Sequence, residues 1–302
     1  MRRVALPFVA VLAAFGGAAV AQEPAGPPPV LLINKEEIKP GQMGPHEKNA
    51  AKFVAIQNKA NAESHRLALM PVSGDNNVVL YLEGYGSFAD MEKAQNQFEA
   101  TLAVNASLRA ELDQNTRDGA DMHATQKTSL AVYRPDLSFR PKNMEDVARS
   151  RYFGVGVSRI HTGRSSDYET WLKELNAARE KANPEGIHTA VYQVLSGASV
   201  GTFITFTMNR SLAEWDEFRA KMADRNKAID AALGGESVVK ERAKRAGEII
   251  ADTHVALYAL NPSISRPGPT FVAYDPEFWK PQAPAADVKA LATKKEKPAP
   301  KP

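Results

Sequence analysis

The chain is laid out twice, and this doubling constrains its fold more than any motif does. When residues 30–136 are laid on residues 152–262, Ser73-Gly74 falls on Ser196-Gly197. Ser87-Phe88-Ala89-Asp90-Met91-Glu92 falls on Ser211-Leu212-Ala213-Glu214-Trp215-Asp216, and Leu130-Ala131-Val132-Tyr133 on Val255-Ala256-Leu257-Tyr258. The offsets are 123, 124 and 125, so single-residue insertions separate the copies. Internal similarity of this kind points to one supersecondary unit used twice.

Each copy reads as βαββαβ. Val30 to Glu36 opens the first copy as a strand, and Tyr152 to Ile160 opens the second, with Phe153, Val155 and Val157 alternating on one face. A helix follows, marked by Phe53, Ile56 and Ala60 in one copy and by Tyr168, Trp171, Leu172 and Leu175 in the other. A strand pair around Ser73-Gly74 or Ser196-Gly197 comes next. Ser87 and Ser211 then each stand three residues before an acidic residue, a pattern similar to a capping box. The stripes Phe88, Met91, Gln95, Phe98 and Leu212, Trp215, Phe218, Met222, Ile229 each predict one helix. Further helical sequence runs from Ser107 to Met122 and from Ser237 to Ile250, and Thr128 to Tyr133 and Thr253 to Leu260 close the copies as strands. Trp171 and Trp215 lie on helical stripes and are expected in the core. A single such sheet has helices on one face and a bare apolar face on the other, which two copies can cover for each other.

This order of elements, with the Ser-(Phe/Leu)-Ala-(Asp/Glu) helix start, resembles the dimeric α+β barrel superfamily. More narrowly it resembles NIPSNAP-like and antibiotic-biosynthesis-monooxygenase-like modules in a fused two-copy form. The resemblance implies an α+β fold in which two tandem ferredoxin-like βαββαβ repeats pack sheet to sheet as an intrachain barrel with a pocket between the sheets. The superfamily includes cofactor-free monooxygenases, haem degraders, chlorite-dismutase-like enzymes and isomerases, so fold alone assigns no activity. No stretch matches a catalytic motif of these groups, and no catalytic residue is carried over.

The ends set the compartment. Met1-Arg2-Arg3, the apolar run Val4 to Val20 and Ala19-Val20-Ala21 are the three parts of a signal peptide, with cleavage expected after Ala21 and a periplasmic or secreted destination. Removing Arg2 and Arg3 leaves 36 basic against 35 acidic residues, a mature charge of +1, which argues against nucleic acid as a partner. No later apolar run is long enough for stable membrane insertion. With no cysteine, disulfides and thiolate chemistry are excluded. The expected layout is a signal peptide at 1–21, a linker at 22–29, the first repeat at 30–136, a linker at 137–151 and the second repeat at 152–262. An aromatic extension at 263–280, expected to pack back onto the repeats, and a Pro/Lys-rich tail at 281–302 complete it.

Site candidates come from the doubled pattern. His65 and His188 are 123 apart, the offset of the turns that follow them, and each is placed at the start of its second strand. A pseudo-two-fold axis would make them a symmetric pair lining the inter-sheet pocket. His254, Tyr258 and Tyr192 are expected to add a polar cluster to an apolar wall. Glu83 shares a strand face with Tyr81 and Val79 and is a candidate base or an exposed edge residue. His46-Glu47 reads as helix-cap chemistry. No histidine pair has local ligand spacing, so no metal is expected; no cofactor is expected either, with haem the alternative. These features describe an exported protein that binds a small apolar or aromatic ligand between two sheets, as a single unit or a further homodimer. The alternative is a cofactor-free or haem-dependent oxidoreductase. Mass spectrometry of the exported protein is expected to show Gln22 as its first residue; a mature chain that retains Met1 would refute the signal peptide.

Overall fold

A computed structural model of the protein describes residues 26–280. The signal segment at 1–21, most of the first linker and the tail at 281–302 lie outside the described residues. The first half runs β1 (Val30–Ile38), α1 (Met43–Lys59), β2 (Arg66–Pro71), β3 (Val78–Tyr85), α2 (Phe88–Val104), α3 (Ala106–Ala120) and β4 (His123–Tyr133). A short helix, α4 (Met144–Ala148), lies in the linker. The second half runs β5 (Tyr152–Ile160), α5 (Ser165–Ala182), β6 (Ala190–Ser196), β7 (Thr202–Asn209), α6 (Leu212–Ala220), α7 (Met222–Leu233), α8 (Glu236–Ile249) and β8 (Ile250–Leu260). Two short helices, α9 (Pro269–Ala273) and α10 (Pro276–Trp279), follow.

The helix starts form as their sequence dictates: Ser87 Oγ accepts from the Asp90 N–H at 3.0 Å, and Ser211 Oγ from the Glu214 N–H at 3.3 Å. The stripe from Leu212 to Ile229 is not one helix. It breaks at Lys221, where the Arg225 guanidinium lies 4.2 Å from the Phe218 ring and donates to the Phe218 carbonyl at 3.1 Å. That bond takes the carbonyl a continuous helix would use. None of the side chains of α6 is buried, so Trp215 is not a core residue.

All eight strands close into one antiparallel barrel in the order β1-β3-β2-β8-β5-β7-β6-β4. Each half contributes the same internal order, β4-β1-β3-β2 and β8-β5-β7-β6, and the halves join at two seams, β2–β8 and β4–β6. Because every neighbour is antiparallel, β1, β2, β5 and β6 run one way and the other four run back. Corresponding elements of the halves therefore share an end of the barrel. At the β4–β6 seam, Gly197 has a φ of +84° and a side-chain carbon there would stand 2.0 Å from the Thr128 carbonyl oxygen. Only glycine meets both demands.

Side chains alternate across the wall. Leu31, Leu69, Leu82, Ala131, Phe153, Tyr192, Phe206 and Tyr258, one from each strand, belong to a single apolar cluster that fills the interior. The expected space between the sheets is thus occupied by the protein's own side chains. Val147 and Ala148 of α4 and Phe271 of α9 join that cluster, with Tyr274, Phe278 and Trp279 packed on it. The aromatic extension therefore does pack back. Arg151, just before β5, pairs with Asp275 and lies over the Phe278 ring, which holds the extension at the end where β5 begins. Opposite wall faces pack under helices, as Ile160 of β5 and Phe203 of β7 do beneath Tyr168 and Leu172 of α5. Phe153 is 1% exposed and Val255 is 68% exposed. Phe153→Ala is expected to cost about 3–5 kcal/mol, and Val255→Ala less than about 0.5 kcal/mol, in denaturant unfolding. Equal effects would contradict a packed interior.

Candidate metal centre

The residues singled out from sequence do not form one site. Tyr192 and Tyr258 point into the barrel; the Tyr192 hydroxyl donates to the Pro28 carbonyl at 3.0 Å, its ring meets Phe206 edge-on, and burial raises both tyrosine pKa values. His65 and His188 do occupy matching places, each just ahead of its strand rather than on it. Their surroundings differ. His188 Nδ1 donates to the Arg140 carbonyl at 2.7 Å, outside the barrel. His65 is half-buried, its Nδ1 has no partner, and burial together with Arg266 lowers its pKa. His254 is exposed at the opposite rim, since β8 begins four residues before it and carries it away from the packed interior. Glu83 lies on the helix-side face of β3 with Tyr81, where it accepts a 2.7 Å hydrogen bond from the Tyr85 hydroxyl.

A different cluster does converge. Alternation along β1 puts Glu36 on the same outer face as buried Ile38, beneath α1. His46 is the fourth residue of α1 and only 2% exposed, so it is no cap but a side chain driven into the helix–sheet layer. His123 opens β4, which pairs with β1. The expectation of no metal site rested on local spacing; the fold instead gathers Glu36, His46 and His123 from three elements, with donor atoms all within 4.8 Å of one another.

The hydrogen bonds around them are informative. His123 Nδ1 lies 2.9 Å from the Gly119 carbonyl, which can only accept, so Nδ1 carries the proton. The other ring nitrogen, Nε2, faces Glu36 Oε2 at 3.2 Å. His46 Nε2 lies 3.5 Å from the same carboxylate oxygen and 3.0 Å from the Tyr81 hydroxyl, and the two imidazole rings meet edge-to-face at 5.2 Å. Burial, then the charges of His123 and Arg66, bring the His46 pKa down to about 4. His46 is therefore neutral near pH 7, with its Nδ1 buried and unpartnered. Burial likewise raises the Tyr81 pKa. Beside it, the buried Arg66 guanidinium is sandwiched between the Tyr81 and Phe53 rings at 4.4 and 4.7 Å.

The second half provides an internal control. In both halves a β-bulge precedes an isoleucine, Ile38 opposite His123 and Ile160 opposite Ile250. Counting back two residues pairs Glu36 with Ser158. The fourth residue of each first helix pairs His46 with Tyr168, and their backbone N–H groups bond the equivalent Gln42 and Arg164 carbonyls. The same three places thus hold Glu, His and His in one half and Ser, Tyr and Ile in the other. There Tyr168 packs on Phe203 at 4.8 Å, and the layer is apolar. The topology needs no polar cluster here, and the first half bears one at a cost of unpaired buried nitrogens.

Haem does not fit the described residues. The interior and the helix-covered layer of the second half are filled by side chains, and His65, His188 and His254 lie outside both clusters. No helix among these residues is long and apolar enough to cross a membrane.

No protein-family model matches the chain, and no curated protein matches it in sequence. Solved structures share a similar arrangement at low identity. An anthrone oxidase-like protein is 14% identical over 77% of this chain and 91% of its own, with a TM-score of 0.46. A variant of the chlorite dismutase from Candidatus Nitrospira defluvii in complex with cyanide is 9% identical over 78% of this chain and 92% of its own, with a TM-score of 0.43. Likeness at this level assigns no activity to this chain. The internal control makes a prediction of its own: the triple variant Glu36→Ser, His46→Tyr, His123→Ile is expected to melt cooperatively, within about 2 kcal/mol of the parent. Loss of the cooperative transition would show that the cluster is part of the scaffold.

Proposed function

We propose that the protein binds one divalent transition-metal ion through Glu36, His46 and His123. The observation that carries this reading is the contact between His123 Nε2 and Glu36 Oε2. With the proton of the ring fixed on Nδ1 by Gly119, a neutral His123 turns a lone pair toward a carboxylate oxygen at 3.2 Å. Two acceptors at that distance need a cation between them, either a second proton on His123 or a metal ion. His46 adds a second neutral imidazole at the same point. Two imidazoles and one carboxylate suit zinc, iron or cobalt, and three protein donors leave coordination positions open for a small ligand. The Gly119 carbonyl behind His123 is the kind of outer partner that fixes a ligand's tautomer.

The wider reading sets this centre in an exported protein whose two halves arose by tandem duplication of a ferredoxin-like unit. The near-constant offsets and the shared strand order and bulge positions support the duplication. One copy keeps an apolar layer and the other carries the donors. An open three-donor site is also what a metal-dependent oxidoreductase requires.

Cobalt(II) titration of the metal-free full chain is expected to give d–d absorption that saturates at one ion per chain. His123→Ala and Glu36→Gln are each expected to abolish it. Zinc at a hundredfold excess over its Kd is expected to stabilise the fold by about 2.7 kcal/mol. A chain that binds neither cobalt nor zinc, while folded, would overturn the proposal and leave a protonated His123 paired with Glu36.

A further inference from the structure

A polar cavity of about 380 Å³, open to the surface, lies outside the barrel where the linker meets the second half. Its walls include Arg140, Lys142 and Asp146 of the linker and α4, His188 ahead of β6, and Arg210 and Glu214 at the start of α6. The volume is in the range of small-molecule sites.

Most of its charges are already engaged. Arg140 donates to the two Glu180 carboxylate oxygens at 3.1 and 2.6 Å. The Arg210 guanidinium donates to Asp146 at 2.7 Å and its backbone N–H to Glu214 at 2.7 Å. Lys142 differs: among the described residues its half-buried ammonium has neither an ion pair nor a hydrogen bond. Burial lowers its pKa, a shift that a bound anion would oppose. His188 is oriented by its Nδ1 bond to Arg140, which leaves Nε2 as its free ring atom. That carbonyl is presented by a strained backbone. Arg140 has a φ of +41° directly before Pro141, a region that residues with side chains seldom occupy. Such strain persists only where the surroundings impose it, and it concentrates at ligand sites.

We infer that this cavity binds a small organic oxyanion, with a carboxylate or phosphate group held by the Lys142 ammonium; His188, whose Nδ1 proton is committed to the Arg140 carbonyl, offers Nε2 as an acceptor to a hydroxyl or amine of the same ligand. Asp146 and Glu214 confine the rest of such a ligand to hydroxyl- or amine-bearing groups, because a second anionic group would meet them. The site shares no residue with the metal centre, so either reading can fail alone.

The test is a titration of the full chain with sodium phosphate and, separately, sodium malonate at constant ionic strength, followed by NMR shifts of backbone amides around the cavity. At least one of the two anions is expected to saturate these shifts. Saturation by phosphate alone assigns a phosphate-bearing ligand, and by malonate alone a carboxylate. Lys142→Met is expected to weaken binding about tenfold, the loss of one charge-assisted hydrogen bond. Lys240→Met, in an exposed helix pair, is expected to bind like the parent. Lys142→Arg keeps the charge and is expected to retain binding, which reads the site even if Lys142→Met fails to fold. Cobalt uptake is expected to be unchanged in all three variants. Shifts that never saturate with either anion, or equal affinity in folded Lys142→Met, would overturn the inference.

Discussion

Closure of the barrel is the constraint on which the rest of the structure depends. Each half alone would present a bare apolar sheet face and two unpaired edges. The seams β2–β8 and β4–β6 pair those edges, and the inward side chains of both halves then form one cluster. Hydrogen bonding and hydrophobic burial are satisfied by the same act, and no edge remains for unwanted pairing. The seam demands particular residues, as Gly197 shows, because its backbone approaches Thr128 too closely for any side chain.

A filled interior moves the chemistry outward. The layer between wall and helices is the place where a side chain can be buried without disturbing closure. In the second half this layer is packed with Tyr168, Leu172, Phe203 and Ile249. In the first half it holds His46, Tyr81 and Arg66 as well, with unpartnered buried nitrogens on His46 and Arg66. Such groups each cost on the order of 1–3 kcal/mol. The second half has a buried unpartnered nitrogen of its own, on Arg179, but holds Ser158, Tyr168 and Ile250 at the places of Glu36, His46 and His123, so the topology does not require the three donors there.

Much of this was legible in the sequence because periodicity and offset are direct consequences of the fold. Alternation in Phe153, Val155 and Val157 located the inward face of β5, and the serine caps located α2 and α6. The matched offset of His65 and His188 reflects their places one and two residues ahead of β2 and β6. Strand ends, however, are governed by local hydrogen bonds that residue patterns do not specify, and both histidines fell just outside their strands. Glu83 was assigned the right neighbours, but which face of β3 meets the core is decided by the partner sheet. The metal centre escaped because its donors are joined by β1–β4 pairing and helix docking, not by spacing. The pairing of Glu36, His46 and His123 with Ser158, Tyr168 and Ile250 follows from the bulges and helix starts of the structure, since the sequence offset of the last strand sets His123 against Glu248.

That contrast has a general physical reading. Where two halves of one topology carry the same residue types, closure and packing suffice to explain the choice. Where they diverge from apolar to ionisable at a buried position, one half departs from what packing favours and the other shows that the departure is unforced. The matching extends past the strands: Phe139 in the linker pairs with Thr189 ahead of β6 as Arg266 after β8 pairs with Arg66 of β2, and α4 and α9 both join the interior cluster. Within that shared frame both polar sites are marked by residue type and backbone, one by Glu36, His46 and His123, the other by Lys142 and the strained Arg140.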